Sequence, residues 1–255
     1  MSNLFLEAAL AAAKAAREVI LPYYRSNLNI ELKEDRSPVT EADREAEMCI
    51  RGILLERFPE HGMYGEEFGD INPGAEYTWL VDPIDGTKSF IQAYGFFSTQ
   101  IALLHRGELI LGVSCAPAMN ELAWAAHGDG AWLNGDRVQV STVTELESAT
   151  LSSGNIQSLA RSENWASYGQ LLGQTGRTRG YGDFYHYHRL AAGQIDAVIE
   201  SDVNILDIAA LTVIVREAGG LVTGLDGSEI ARDSRTILAA NPTLHGKILD
   251  QLGGL

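Results

Sequence analysis

Apolar residues recur at helical spacing from Leu4 to about Tyr24, interrupted by Glu7, Lys14, Arg17 and Glu18, and again from Glu41 to Arg57. Positions three and four apart share one helical face, so both stretches predict amphipathic helices, the second stopping near Pro59. Val39-Thr40-Glu41-Ala42-Asp43 opens the second helix with a threonine cap and an acid three residues on, a variant of the capping box. From Ser98 the period shortens to two. Ser98–Leu104, Glu108–Cys115, Glu121–Ala126 and Ala131–Leu133 predict an antiparallel meander, with turns at Arg106-Gly107, Gly128-Asp129-Gly130 and Asn134-Gly135. After Ser141 strands and helices alternate: a strand at Thr150–Ser153, a helix near Glu163–Leu172, a helix over Phe184–Ala192 and a strand from Ile195 to Glu200. Asn204 to Ala218 then forms a mostly apolar helix closed by Gly219-Gly220, and a strand at Thr236–Ala240 and a helix from Pro242 complete the chain. Helices on an antiparallel sheet followed by an α/β half make an α+β protein. No low-complexity linker interrupts it, so we expect one unit with subdomains 1–145 and 146–255.

Hydrophobic residues make up 45% of the 255 positions, as in an ordinary globular protein. Acids outnumber bases 34 to 19, a formal charge of −15, which argues against a nucleic-acid partner because that needs a basic face. The two cysteines, Cys49 and Cys115, are too few for a disulfide framework and predict buried free thiols in a reducing compartment. The N-terminus lacks a signal-peptide core and no apolar run is long enough for a membrane span, so the expected location is the cytoplasm.

The chemistry concentrates in Trp79-Leu80-Val81-Asp82-Pro83-Ile84-Asp85-Gly86-Thr87-Lys88-Ser89-Phe90. Trp79–Val81 predicts a buried strand, and Pro83 should end it, leaving Asp82 and Asp85 at a strand-to-turn junction. Two converging carboxylates repel one another unless a proton or cation intervenes, and Mg²⁺ takes oxygen ligands of this kind together with substrate phosphate. The N–H groups of Gly86 and Thr87 could then meet an anion. The competing interpretation is a pair of surface turns, Asp-Pro and Asp-Gly. Two further acidic segments join the first: Gly65-Glu66-Glu67-Phe68-Gly69-Asp70, which could also be a solvated loop, and Asp207, which could simply complement a helix dipole.

Taken together, Gly65-Glu66-Glu67, Trp79–Thr87, Leu206-Asp207-Ile208-Ala209-Ala210 and Glu217-Ala218-Gly219-Gly220 resemble the inositol monophosphatase family of Mg²⁺-dependent phosphomonoesterases, in order and spacing from about Glu41 to Asn241. The resemblance implies a five-layer αβαβα sandwich, a homodimer, and two or three Mg²⁺ per subunit. It assigns Glu66, Asp82, the carbonyl of Ile84, Asp85 and Asp207 to the metals. It also makes Thr87 and Glu66 the residues that position and deprotonate the attacking water, with Asp43 supporting Thr87 and the N–H groups of Gly86 and Thr87 holding the phosphate. One position departs from the family pattern: Leu206 stands where a tryptophan is usual.

Substrate choice should lie in the C-terminal half. Gly182-Asp183-Phe184 with Tyr187 resembles the histidinol-phosphate phosphatase branch, where inositol-specific members carry small residues. Histidinol phosphate bears an ammonium and an imidazole, which a carboxylate beside the metals would select. Asp183 and Glu200 are the candidates; otherwise Asp183 caps the following helix and Glu200 merely ends a strand. His186 and His188, two apart on a helix, face different ways and should not chelate one ion. The expected partner is a small phosphate ester. Inositol 1-phosphate is the alternative substrate, or a broad range of sugar and nucleotide phosphates, and a regulatory binding protein on the same fold is the alternative of a different class.

Overall fold

The computed structural model describes residues 2–26, 30–32, 38–162 and 165–253. The first layer pairs α1 (Ser2–Tyr23) with α2 (Glu41–Arg57), preceded by a small antiparallel pair, β1 (Ile30–Leu32) and β2 (Pro38–Thr40). Ala8, Ala9, Ala12, Ala13 and Ala16 are buried along α1, a small-residue face that lets the helix pack closely on its neighbours. Beneath lies a sheet of β3 (Gly62–Gly65), β4 (Gly69–Ile71), β5 (Tyr77–Asp85), β6 (Ser98–His105), β7 (Glu108–Ala116), β8 (Glu121–Ala126), β9 (Gly130–Leu133) and β10 (Asp136–Val138). The expected meander is β6 to β9, extended by β10. The sheet as a whole is mixed rather than antiparallel, since β3 runs parallel to β5.

A short α3 (Thr87–Ile91) follows β5, and α4 (Ile156–Arg161) and α5 (Trp165–Gln174) come later in the chain. The expected helix near 163–172 is thus α5; Glu163 itself lies outside the described residues. The third layer is α6 (Asp183–Ala191) and α7 (Ile205–Glu217). Ten of the thirteen α7 residues are buried, because the helix is covered by sheets on two sides and has no solvent face to make polar. The second sheet, in the order β12 (Arg177–Arg179), β11 (Thr150–Ser153), β13 (Ala197–Ser201), β15 (Thr236–Ala240), β14 (Leu221–Thr223), is also mixed. Helices α4, α5 and α8 (Pro242–Leu252) close its outer face over a separate apolar cluster. Five layers, αβαβα, result. Cys115 is buried and Cys49 only partly so, and both are free. No helix among the described residues is long and apolar enough to cross a membrane.

Pro83 does not end its strand. β5 continues to Asp85, and its register against β6 slips: Asp82 pairs with Gln100 and Asp85 with Ser98, three steps against two. The extra residue is a bulge, and the parallel partner β3 reaches only Val81, so the missing N–H of Pro83 costs no ladder bond on that side. The Pro83 carbonyl accepts from Thr99 Oγ1 at 2.8 Å. Residues three apart on a regular strand point to opposite faces. The bulge cancels that alternation and brings Asp82 and Asp85 to the same side.

Candidate active site

Asp82, Asp85 and Asp207 each offer a carboxylate oxygen within 4.8 Å of the others. The α7 helix delivers Asp207 through a capping box. The Asn204 N–H donates to Asp207 Oδ2 at 3.0 Å and Asn204 Nδ2 to Oδ1 at 2.7 Å, while Asn204 Oδ1 accepts from the Leu206 N–H at 2.7 Å. Glu66, in the turn between β3 and β4, lies close enough to Asp82 for its charge to raise the Asp82 proton affinity. The Ile84 N–H donates to Asp82 Oδ1 at 2.9 Å, and the Ile84 carbonyl accepts from Thr87 Oγ1 at 3.0 Å, which leaves it one lone pair.

Asp43 closes the site from α2. Its Oδ2 accepts from the Thr40 N–H at 2.8 Å and Thr40 Oγ1 at 2.6 Å, the expected capping contacts, and its Oδ1 lies 3.4 Å from Thr87 Oγ1. Gly86 stands between β5 and α3 with φ +85°. A Cβ there would lie 2.5 Å from the Phe96 carbonyl oxygen, so conformation and space both demand glycine.

The electrostatics are severe. Burial first, then Glu66, Asp85 and Asp207, hold the Asp82 carboxyl well above the ordinary carboxylate range. Burial, Asp207, Asp183 and Glu200 do the same to Asp85, against a small opposing pull from Ser98. Burial pushes Asp207 up to about 7, with Asn204 resisting and Glu66 and Glu200 adding to the rise. Among the described residues no ion pair reaches Asp82, Asp85 or Asp207. An all-oxygen donor set, with Asp82 and Asp85 buried and Asp207 partly so, and short of positive charge, fits a hard divalent cation.

Asp183 and Glu200 lie against this cluster. Asp183 is pushed up to about 6 by burial and by Glu200, with His186 opposing. It does not cap α6: Gly182 holds that position, and Asp183 is the first helical residue, in the left-handed region at φ +48°. Glu200 Oε2 pairs with His186 Nε2 at 3.0 Å and accepts from Tyr187 Oη at 2.9 Å. His186 and His188 are both fully buried and face different partners, as their spacing requires: His188 meets Ser114 Oγ at 2.9 Å and Glu121 Oε2 at 3.0 Å. Leu206 is buried and lines a groove of about 730 Å³ with Glu66, Asn204 and Arg235.

Sequence reasoning missed a buried polar chain leading away from Asp85. Ser98 Oγ donates to Asp85 Oδ2 at 3.2 Å and accepts from Gln100 Nε2 at 2.8 Å, whose other hydrogen goes to Ser114 Oγ at 3.1 Å. Gln100 spends both amide hydrogens this way, so the Ser98 hydroxyl hydrogen is left for Asp85. Polar residues in a strand ordinarily signal a solvated face, and nothing in their spacing marks these as buried.

The five-layer fold is that of the inositol monophosphatases, a family of phosphatases. The inositol monophosphatase family model matches residues 2–254, and the chain belongs to that family. It is 39% identical to a histidinol-phosphatase of Mycobacterium tuberculosis, over 99% of each chain, and 36% identical to the Nus factor SuhB of Pseudomonas aeruginosa, over 92% of this chain and 91% of that one. The solved structure of an inositol monophosphatase from Anabaena superposes with a TM-score of 0.85 at 30% identity, covering 98% of this chain and 95% of that one.

Proposed function

We propose that this phosphatase is Mg²⁺-dependent and hydrolyses histidinol phosphate in preference to other small monoesters. Glu66, Asp82, Asp85 and Asp207 would hold the cations through their carboxylates, and Ile84 through its carbonyl. Bound there, Mg²⁺ supplies positive charge against the phosphate and lowers the pKa of water. Thr87, oriented by Asp43 and the Ile84 carbonyl, keeps a lone pair for the attacking water, and Glu66 takes its proton. The N–H groups of Gly86 and Thr87, at the start of α3, hold phosphate oxygens. In this proposal residues 1–145 furnish most of the cation ligands, and residues 146–255 furnish Asp207 and the recognition of the alcohol. The functional unit is a cytoplasmic homodimer.

The observation that carries the substrate is the second acidic pair. Asp183 and Glu200 lie close enough to Asp85 to raise its proton affinity. Carboxylates so placed match a substrate with an ammonium group, whereas the hydroxyls of an inositol ring can offer them hydrogen bonds but no opposite charge. The name of the Mycobacterium relative agrees. The test is Mg²⁺-dependent phosphate release from histidinol phosphate and from myo-inositol 1-phosphate. A kcat/KM ratio of about 100 in favour of the first, some 2.7 kcal/mol of differential transition-state binding, is expected. The opposite preference refutes the assignment of Asp183 and Glu200 and leaves the cation site standing. The name of the Pseudomonas relative raises a regulatory reading, which predicts a stoichiometric protein partner and no release from any ester.

A further inference from the structure

Glu47 follows Asp43 by one turn of α2, and its side chain is fully buried (0% exposed). A buried carboxylate persists only where partners replace its water. Here the Glu67 N–H donates to Oε2 at 2.7 Å, the Phe68 N–H to Oε1 at 3.3 Å, and Arg51 Nε to Oε1 at 2.8 Å. Arg51, one further turn along, also donates from Nη2 to the Gly69 carbonyl at 2.7 Å and lays its guanidinium 5.3 Å from the Phe68 ring centre. Gly65 faces the same carboxylate: a Cβ there would fall on Glu47 Oε1 and lie 3.0 Å from Arg51 Nη2. Gly65, Glu67, Phe68 and Gly69 therefore all meet the Glu47–Arg51 pair.

Glu66 itself lines the groove with Asn204 and Leu206, the residues beside Asp207 in the site, and its charge raises the Asp82 proton affinity. Two carboxylates side by side repel, and a short turn with exposed residues would relax by swinging one of them out. We propose that Glu47 and Arg51 are positioning residues that clamp the 65–69 turn and so present Glu66 to the cation site. The proposal rests on Glu66 being a cation ligand. Charge-assisted bonds to two successive backbone N–H groups fix the peptide immediately after Glu66, leaving little but side-chain torsions free. Outer partners of metal ligands typically contribute 10–100-fold in affinity.

Mn²⁺ binding to the full chain, followed by the EPR signal of the free ion, tests this without reference to turnover. The proteins are wild type, Glu66→Gln, Glu47→Gln and Arg51→Lys, with the last two also made in the Glu66→Gln background. Glu47→Gln is expected to weaken Mn²⁺ binding about 10-fold, and its double variant with Glu66→Gln to bind no more weakly than Glu66→Gln alone, because Glu47 acts through Glu66. Arg51→Lys, which keeps the charge but loses the fork, should show a few-fold loss that likewise vanishes in the Glu66→Gln background. Should Glu47→Gln fail to fold, Arg51→Lys carries the test. Wild-type affinity in Glu47→Gln or Arg51→Lys, or losses that add to that of Glu66→Gln, overturns the clamp and leaves the cation site intact. Wild-type affinity in Glu66→Gln overturns the ligand assignment and the clamp with it.

Discussion

Replacing Asp207 with Asn takes one negative charge out of the acidic cluster, and in the absence of divalent cations it should make the protein more stable. In the folded chain the Asp207 carboxyl titrates near 7, against an ordinary 3.8. Between those values the folded state binds more protons than the unfolded state, so stability falls as pH rises through the window. At 1.36 kcal/mol for each pH unit the penalty reaches about 4 kcal/mol by pH 8. Asparagine cannot ionise and still accepts from the Asn204 N–H, although it loses the Asn204 Nδ2 contact, at a cost of about 1 kcal/mol. The balance is about 3 kcal/mol in favour of the variant at most, several degrees of melting temperature in a chain this size. Calorimetry in EDTA should show the wild-type midpoint falling from pH 5 to pH 8, and Asp207→Asn above wild type at pH 8. In millimolar Mg²⁺ the order should reverse, since only the intact site gains by binding the ion. A variant no more stable than wild type in EDTA at pH 8 would refute the electrostatic reasoning.

Asp85→Asn should sharply weaken Mg²⁺ binding and turnover together; near-normal turnover at moderate Mg²⁺ would remove Asp85 from the ligand set. Gly86→Ala must place a methyl 2.5 Å from the Phe96 carbonyl at φ +85°, so we expect a loss of at least about 2 kcal/mol of stability in chemical denaturation, with activity falling as well. Asp183→Asn should lower kcat/KM about 10–100-fold for histidinol phosphate and leave myo-inositol 1-phosphate nearly unchanged; an equal loss on both would make Asp183 structural. Gln100→Met keeps the volume of the side chain but frees the Ser98 hydroxyl from its donor, and weaker Mn²⁺ binding at nearly unchanged melting temperature is the expected result.

Local signals carried much of this fold into view. Thr40 and Asp43 at cap spacing fixed the start of α2, and the two-residue period from Ser98 gave the meander with its turns. What could not be read locally depended on contacts between distant segments. Pro83 looked like a terminator because a proline removes a ladder bond, yet β3 stops at Val81 and leaves nothing there to remove. The strands β3 and β4 are four and three residues long and draw their regularity from β5 and the turn between them, too little for a periodic signal. Asp183 is conspicuous in its motif, but its place in the left-handed region beside Glu200 is set by tertiary packing. Glu47 did leave a trace, since Asp43, Glu47 and Arg51 fall at successive helical turns. A charged row of that kind usually faces water, and only the turn lying across it shows otherwise.

Asp43 and Asp207 share an arrangement that bears on how relatives of this chain should be compared. Each is the third residue of its helix and receives the backbone N–H of the residue that caps it, Thr40 in one case and Asn204 in the other. Both acids therefore hold the ends of helices in place, and α7 fills the middle layer of the molecule. A descendant that had abandoned hydrolysis altogether would still gain from a hydrogen-bond acceptor at each position, an acid at 43 and an acid or an amide at 207, simply to hold the helix ends. Survival of these acids in a relative is no sign of turnover. Asp85 starts no helix, so under the proposed cation site its loss is the change that would mark a lineage as having left chemistry behind.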